Sequence, residues 1–86
     1  MVQLTAIVKN SLGIHARPAA LIVQAASRFR SEILLSKDGL EVNGKSIMGV
    51  MMLAAEPDSE VGVKTQGEDE TQAAREMVRV IESKFD

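Results

Sequence analysis

Gly13-Ile14-His15-Ala16-Arg17-Pro18 is the stretch that decides how this chain folds, because a strand pattern ends before it and a helix pattern begins within it. Apolar and polar side chains alternate from Val2 to Val8, which is typical of a strand with one buried face. Pro18 suits the first turn of a helix, where a backbone N–H is not needed. The stretch therefore places His15, the only histidine, at the start of a helix. The residues of this helix that we expect to face the core are Ala19, Ile22, Val23, Ala26 and Phe29.

Four further patterns complete a predicted element order of βαββαβα. Asp38-Gly39 lies between two alternating runs and is a strong hairpin signal, which predicts two strands. Ser46 is placed as the N-cap of a short apolar helix. A fourth strand is expected from about Glu60 to Thr65. A last helix over 69–84 is expected to begin with an Asp69/Gln72 capping box, and its buried stripe is predicted to contain Ala74, Met77, Val78, Ile81 and Phe85. This order predicts an α+β protein in which one sheet carries its helices on a single face.

The composition excludes several classes of protein. A chain of 86 residues has material for one core, so we expect a single domain, 1–86. The absence of cysteine excludes disulfides and thiolate zinc sites and favours the cytoplasm. A net charge of -2 without Trp or Tyr is unlike a nucleic-acid binder, and no apolar run could span a bilayer. We therefore expect protein or small-anion partners, with neither nucleic acid nor membrane among them.

His15 is the candidate reactive residue. A helix N-terminus offers unpaired amides and a partial positive charge to a phosphate group. Arg17 adds a permanent cation whose forked donors match phosphate oxygens. The alternative is that His15 is an ordinary surface residue or a local cap in a plain interaction module. A metal role is disfavoured, since one histidine without cysteine gives no set of ligands, and no pattern indicates a cofactor.

The short helix that follows Ser46 is apolar on nearly every side. A two-turn helix can bury only one side, so part of it must stay exposed. We expect the buried side to consist of Val50, Leu53 and Ala54, with Met52 also in the core. The exposed residues are then Ile47, Met48 and Met51, which would form a docking patch. Ser46, which follows Lys45, is both a helix cap and a candidate kinase site.

Two motifs give the chain a resemblance to a known family. Gly13-Ile14-His15-Ala16-Arg17-Pro18-Ala19 resembles the active-site signature of HPr, the histidine-containing phosphocarrier of the bacterial phosphoenolpyruvate-dependent sugar phosphotransferase system. Lys45-Ser46-Ile47-Met48-Gly49-Val50-Met51 resembles the regulatory-serine signature of the same family. The resemblance covers essentially the whole chain. It implies an open-faced β-sandwich with a four-stranded antiparallel sheet and three helices.

The resemblance also implies roles for individual residues. His15 would take a phosphoryl group on Nδ1 from phosphorylated Enzyme I and pass it to a sugar-specific IIA domain. Arg17 and the amide of Ala16 would steady the phosphate, and the protein would carry phosphate without being an enzyme. Ala20 would join the docking surface. Ser46 matches the position that HPr kinase modifies, which can create a corepressor for a catabolite-control transcription factor.

Other readings stay open beside this one. The histidine separates the chain from the paralogue Crh, which resembles HPr but lacks it. The chain could instead be a carrier or regulator in a nitrogen-related or otherwise non-transporting branch, with the same chemistry and no sugar permease partners. We expect a monomer.

Overall fold

The computed structural model describes residues 1–84, and its elements follow the predicted order. The strands are β1 (Val2–Ile7), β2 (Glu32–Lys37), β3 (Leu40–Asn43) and β4 (Glu60–Gln66). The helices are α1 (Ala16–Ala26), α2 (Ile47–Met52) and α3 (Glu70–Ile81). The last helix ends three residues before the predicted boundary. Phe85, expected in its buried stripe, lies outside the described residues.

The four strands form one antiparallel sheet with the order β1-β4-β2-β3. The predicted alternation in β1 holds, since Leu4 lies opposite Val63 on the core face. Leu4 is nevertheless 38% exposed, whereas Val63 is buried, because β1 is an edge strand and β4 is an inner one. The four-stranded antiparallel sheet expected for the fold class is confirmed.

The predicted hairpin at Asp38-Gly39 is also confirmed. Lys37 pairs with Leu40, which leaves two residues in the loop between β2 and β3. Both have positive φ, 51° at Asp38 and 86° at Gly39. This is the geometry of a type I′ turn, whose twist matches that of the strands it joins.

The three helices pack on one face of the sheet in the order α2, α1, α3. Helix α3 contacts β1 and β4, α2 contacts β3, and α1 contacts both other helices. The large side chains that are fully buried between these layers include Ile22, Ile33, Leu35, Met77, Ile81, Val50, Val61 and Val63. Val23, Phe29 and Val78, which were predicted to face the core, pack against it while partly exposed. The result is the open-faced α+β sandwich that the sequence and the resemblance predict.

The capping box predicted at the start of α3 is wrong. Asp69 is the N-cap residue, but its side chain makes no capping hydrogen bond. Its carboxylate instead accepts hydrogen bonds from the amides of Arg30 and Ser31, each at 3.0 Å, and from the Ser31 hydroxyl. The Ser31 hydroxyl, followed by the Arg30 amide, holds the pKa of Asp69 below its usual range. Asp69 therefore fastens the start of α3 to the chain entering β2.

Candidate functional site

His15 is the N-cap residue of α1, in an extended backbone conformation with φ -115° and ψ -159°. Its side chain is exposed and makes no capping hydrogen bond. The local-cap alternative is therefore not what the structure shows. The imidazole lies exposed at the start of α1 and does not cap the helix.

The N-terminus of α1 is electropositive, and its backbone amides are open to a bound anion. The first intrahelical hydrogen bond runs from the Ala19 amide to the His15 carbonyl at 2.8 Å. The amides of Ala16 and Arg17 precede that bond, and Pro18 has no amide hydrogen to satisfy. No acidic residue lies in the first turn, and the Arg17 side chain is exposed. Two amides, a helix dipole and one guanidinium are thus available to an anion held at His15.

The loop that carries His15 is fixed from both sides. Asn10 is 2% exposed; its Nδ2 donates to the Gly13 carbonyl at 2.7 Å, and its own carbonyl accepts from the Gly13 amide at 3.0 Å. Gly13 has φ 72°, which favours glycine. The next amide, that of Ile14, donates to the Ala55 carbonyl at 2.8 Å. The histidine therefore stands on a backbone that is tied to the loop after α2.

The exposed patch predicted on α2 is present and is larger than expected. Ile47, Met48 and Met51 are 46%, 76% and 43% exposed. Met52, expected in the core, is 63% exposed, because the short helix turns only the side of Val50 toward the sheet. Four large apolar side chains therefore face solvent on one short helix.

The buried side of α2 also differs from the prediction at its end. Val50 and Leu53 are buried, as expected. Ala54 is exposed and has φ 50°, and the buried alanine is Ala55. The chain leaves the helix through a left-handed residue, which turns the following side chain inward. The helical periodicity predicts that Ala54 is buried because it assumes that the helix continues past Leu53. It does not include the change of chain direction at Ala54.

Ser46 caps α2, as predicted. Its Oγ accepts a hydrogen bond from the Gly49 amide at 3.1 Å. The neighbouring Lys45 donates from Nζ to the Phe29 carbonyl at 2.7 Å, which ties the start of α2 to the chain after α1. Because α1 and α2 pack together, the helix of His15 and the apolar patch lie on neighbouring elements. Ala20, on α1, is half-buried.

Leu12, three residues before His15, is 73% exposed. A residue that supports the loop of His15, Asn10, was missed by sequence reasoning. An asparagine three residues before a glycine can donate a hydrogen bond from its side chain to the glycine carbonyl, and this spacing could have identified Asn10 from the sequence.

Neither a metal cluster nor a membrane span is found in the part of the chain that the structure describes. Over residues 1–84, no three His, Cys, Asp or Glu side chains come together as metal ligands would. None of the helices described there has the length and apolar character needed to cross a membrane.

The open-faced sandwich and the exposed histidine at the start of its first helix agree with what a comparison with known families finds. The family model described as the PTS HPr component phosphorylation site matches residues 2–83. The chain therefore belongs to the HPr family, which includes the phosphocarrier proteins named HPr.

Individual relatives agree with this assignment over nearly their whole length. Phosphocarrier protein HPr of Treponema pallidum is 52% identical over 86 residues, covering 100% of this chain and 98% of the relative. A crystal structure of HPr from Thermoanaerobacter tengcongensis is 48% identical with a TM-score of 0.92, covering 99% of this chain and 96% of that one. A crystal structure of Crh from Bacillus subtilis, which reports a dimer with a swapping domain, is 48% identical with a TM-score of 0.76 and covers 94% and 93%.

Proposed function

We propose that Nδ1 of His15 accepts a phosphoryl group from phosphorylated Enzyme I and donates it to a sugar-specific IIA domain. In the first step the imidazole lone pair attacks phosphorus, a P–N bond forms at His15, and the donor's bond to phosphorus breaks. In the second step the bond at His15 breaks as the acceptor's bond forms. The chain returns to its starting state, so it carries phosphate between enzymes without catalysing a reaction of its own.

The observation that carries the proposal is the unused imidazole of His15 at the positive end of α1. A phosphorylated ring placed there meets the amide of Ala16 and the guanidinium of Arg17. A helix N-terminus stabilises a nearby anion by about 0.3–1 kcal/mol, and by up to about 2 kcal/mol in favourable geometries. This is enough to favour phosphate at His15 without making the P–N bond too stable to pass on. Enzyme I and the IIA domain supply the remaining catalytic groups.

The exposed face of α2, together with Ala20 on α1, is the proposed docking surface for both partners. The α2 residues of this surface are Ile47, Met48 and Met51. Methionine side chains adapt their shape at low cost, so one patch suits partners with different surfaces. Its position beside α1 lets a partner cover it while reaching the histidine.

Ser46 is the proposed site of regulation by HPr kinase. Phosphorylation adds -1.5 to -2 charges to a residue that already caps α2. The helix start tolerates the charge, whereas an acidic surface approaching the apolar patch is repelled. The same phosphoserine offers a recognition point to a catabolite-control transcription factor, whose binding would make the chain a corepressor.

The carrier proposal is tested by incubating the chain with labelled phosphoenolpyruvate and Enzyme I. Wild type is expected to take up one acid-labile phosphate per chain and His15→Ala none. Ser46→Ala serves as the matched control, since it changes the other phosphorylation candidate and leaves His15 in place. Equal incorporation in wild type and His15→Ala, or none in either, would sink the proposal.

A second candidate function draws on the similarity to Crh. The chain could act as an HPr-like carrier or regulator in a nitrogen-related or non-transporting branch. Transfer from phosphorylated His15 to purified acceptors separates the two candidates. Fast transfer to a sugar-specific IIA domain favours sugar uptake, and transfer restricted to a nitrogen-related acceptor favours the second candidate.

We also propose that the chain works as a monomer in the cytoplasm. All four strands of the sheet find their partners within one chain, and a chain without cysteine suits a reducing compartment. Light scattering on the purified protein tests the first point, with a mass near 9.3 kDa expected. A mass twice as large would indicate a dimer such as the one reported for Crh.

A further inference from the structure

A groove of about 490 Å³ lies between α1 and α3, and its residues have no part in the site of His15. It is open along the molecular surface and is lined by Arg28, Phe29, Gln72, Arg75, Glu76 and Arg79. A smaller cavity of about 240 Å³ shares Arg28, Glu76 and Arg79 with it and continues the groove to Leu21 and Val80. The two cavities form one cleft along the outer side of the helix pair, which we call the α1–α3 groove.

The charge of the groove opposes that of the whole chain. Three arginines and one glutamate line it, which gives a local charge of +2 in a chain whose net charge is -2. Glu76 holds Arg79 in a two-pronged ion pair, with Oε1 accepting from Nε at 2.7 Å and Oε2 from Nη2 at 2.6 Å. Within residues 1–84, Arg28 and Arg75 belong to no salt bridge. Their guanidinium groups are therefore available to an incoming anionic group.

The groove also offers apolar surface between its charges. Phe29 is partly exposed at one end, and Leu21, 38% exposed, lies at the other. Val80 and Ala25 line the part between α1 and α3. A ligand that is only an anion would leave this surface uncovered. The pattern fits a ligand that alternates carboxylates with apolar side chains.

We propose that the α1–α3 groove docks an acidic segment of a partner protein. The groove follows α3 from Gln72 to Val80, about 12 Å at 1.5 Å per residue, which is the length of about four residues of extended chain. Carboxylates of that segment pair with Arg28 and Arg75, and an apolar residue of the segment packs on Phe29 at the end of the groove. Exposed ion pairs are individually weak, so a protein segment that engages several groups together suits the groove better than a single small anion.

The groove borders the docking surface proposed for phosphoryl transfer. That surface takes Ala20 from α1, whereas the groove takes Leu21, Gln24 and Ala25 from the same helix and Arg28 from the chain that follows it. Gln24 lies one turn from Ala20 on the same face of α1, so the two surfaces meet along this helix. The α3 residues of the groove, Gln72, Arg75 and Arg79, lie outside the docking surface.

The proposal is tested by NMR titration of the full chain with a synthetic eight-residue peptide containing six acidic residues and two leucines. Saturable amide shifts are expected in residues 21–29 and 72–83, weakening as salt rises from 0.05 to 0.5 M. Arg75→Glu is expected to weaken binding about five-fold or more. The matched control is Lys9→Glu, which makes the same change of charge at an exposed residue outside the groove and is expected to bind as wild type does.

Several outcomes would overturn the proposal. One is a set of amide shifts centred on α2. A second is a peptide with lysine in place of the acidic residues that binds as tightly as the acidic peptide. A third is an equal loss of affinity for the acidic peptide in Arg75→Glu and Lys9→Glu. Inorganic phosphate that reproduces the shifts at the same concentration would indicate a small-anion site instead. Phosphorylation of His15 in Arg75→Glu is measured alongside. The extent of His15 phosphorylation in this variant is expected to match that of wild type. A failure of the groove proposal can therefore be distinguished from a failure of the carrier proposal.

Discussion

Gly13 lies so close to Ala55 that a Cβ at position 13 would come within 2.5 Å of the Ala55 carbonyl oxygen. The same oxygen accepts the Ile14 amide at 2.8 Å. The loop that carries His15 thus rests directly on backbone that leads from α2 to β4. Any side chain at position 13 must push these two loops apart.

Gly13→Ala is therefore expected to destabilise the protein for two reasons. A left-handed conformation costs a residue with a side chain about 1–2 kcal/mol, and the contact with Ala55 adds about 1–3 kcal/mol. Gly39→Ala is the matched control, because Gly39 has φ 86° but no atom within 4 Å of the added carbon. Urea denaturation of both variants checks this. Equal losses of unfolding free energy would show that the contact with Ala55 costs nothing.

A second prediction concerns Ala54, a non-glycine residue with φ 50° just past the C-cap of α2. Glycine adopts this conformation without steric cost and is favoured at this position of a helix. Because the Ala54 side chain is exposed, its removal loses little packing. Ala54→Gly relieves about 1–2 kcal/mol of left-handed strain and loses about 0.4–1 kcal/mol because glycine is freer in the unfolded chain. It is therefore expected to raise the free energy of unfolding by about 0.5–1 kcal/mol.

The control for this prediction is the same substitution inside a helix. Ala20 lies within α1, where glycine costs about 1 kcal/mol relative to alanine. Ala20→Gly is therefore expected to lower the stability while Ala54→Gly raises it. Thermal denaturation of both variants gives the two signs directly, and a loss in both would contradict strain at Ala54.

The structure explains which features the sequence could predict. The hairpin at Asp38-Gly39 depends on residues adjacent in the chain, so its turn chemistry is visible locally. The Asp69 carboxylate bonds to Ser31, 38 positions away, and no local pattern separates that from a capping box. The prediction that Met52 is buried was wrong for a related reason. On a helix of two turns, the packing of the neighbouring elements decides which side is buried.

The same holds for the site. His15, Arg17 and Ser46 could be selected from the sequence because helix starts have recognisable chemistry. The support for His15 is only partly visible in the sequence: Asn10 bonds to Gly13 three residues away, which is a local signal, whereas Ala55 approaches Gly13 through a tertiary contact. Sequence motifs thus identify the residues that carry the chemistry. The structure adds the residues that hold the loop in place.

A third prediction is an acid-dependent stability that depends on Asp69. The hydrogen bond from the Ser31 hydroxyl, followed by the Arg30 amide, lowers the pKa of this carboxyl in the folded state. A lowered folded pKa means that the stabilisation is fully present above the unfolded value of about 3.9 and is lost as the pH falls through the folded pKa. Asp69→Asn is expected to be less stable than wild type at pH 7, and the difference should shrink below about pH 4.

Denaturation curves between pH 2 and pH 7 measure this effect. Ser31→Ala removes the main cause of the shift and leaves the carboxylate in place, so it is expected to reduce the pH dependence only in part. A difference between wild type and Asp69→Asn that stays constant over the whole range would contradict the assignment.

The last prediction separates docking from folding on α2. Met48 is 76% exposed, so Met48→Ala is expected to change the stability by less than about 0.5 kcal/mol. Val50 lies on the same helix and is fully buried, so Val50→Ala creates a cavity and is expected to cost about 1–3 kcal/mol. If the patch docks partners, Met48→Ala slows phosphate transfer from Enzyme I to His15 several-fold in a fully folded protein. The contrary outcome is a transfer rate that falls only in the destabilised Val50→Ala and not in Met48→Ala. It would mean that α2 supports the fold and that the exposed methionines contribute nothing to recognition.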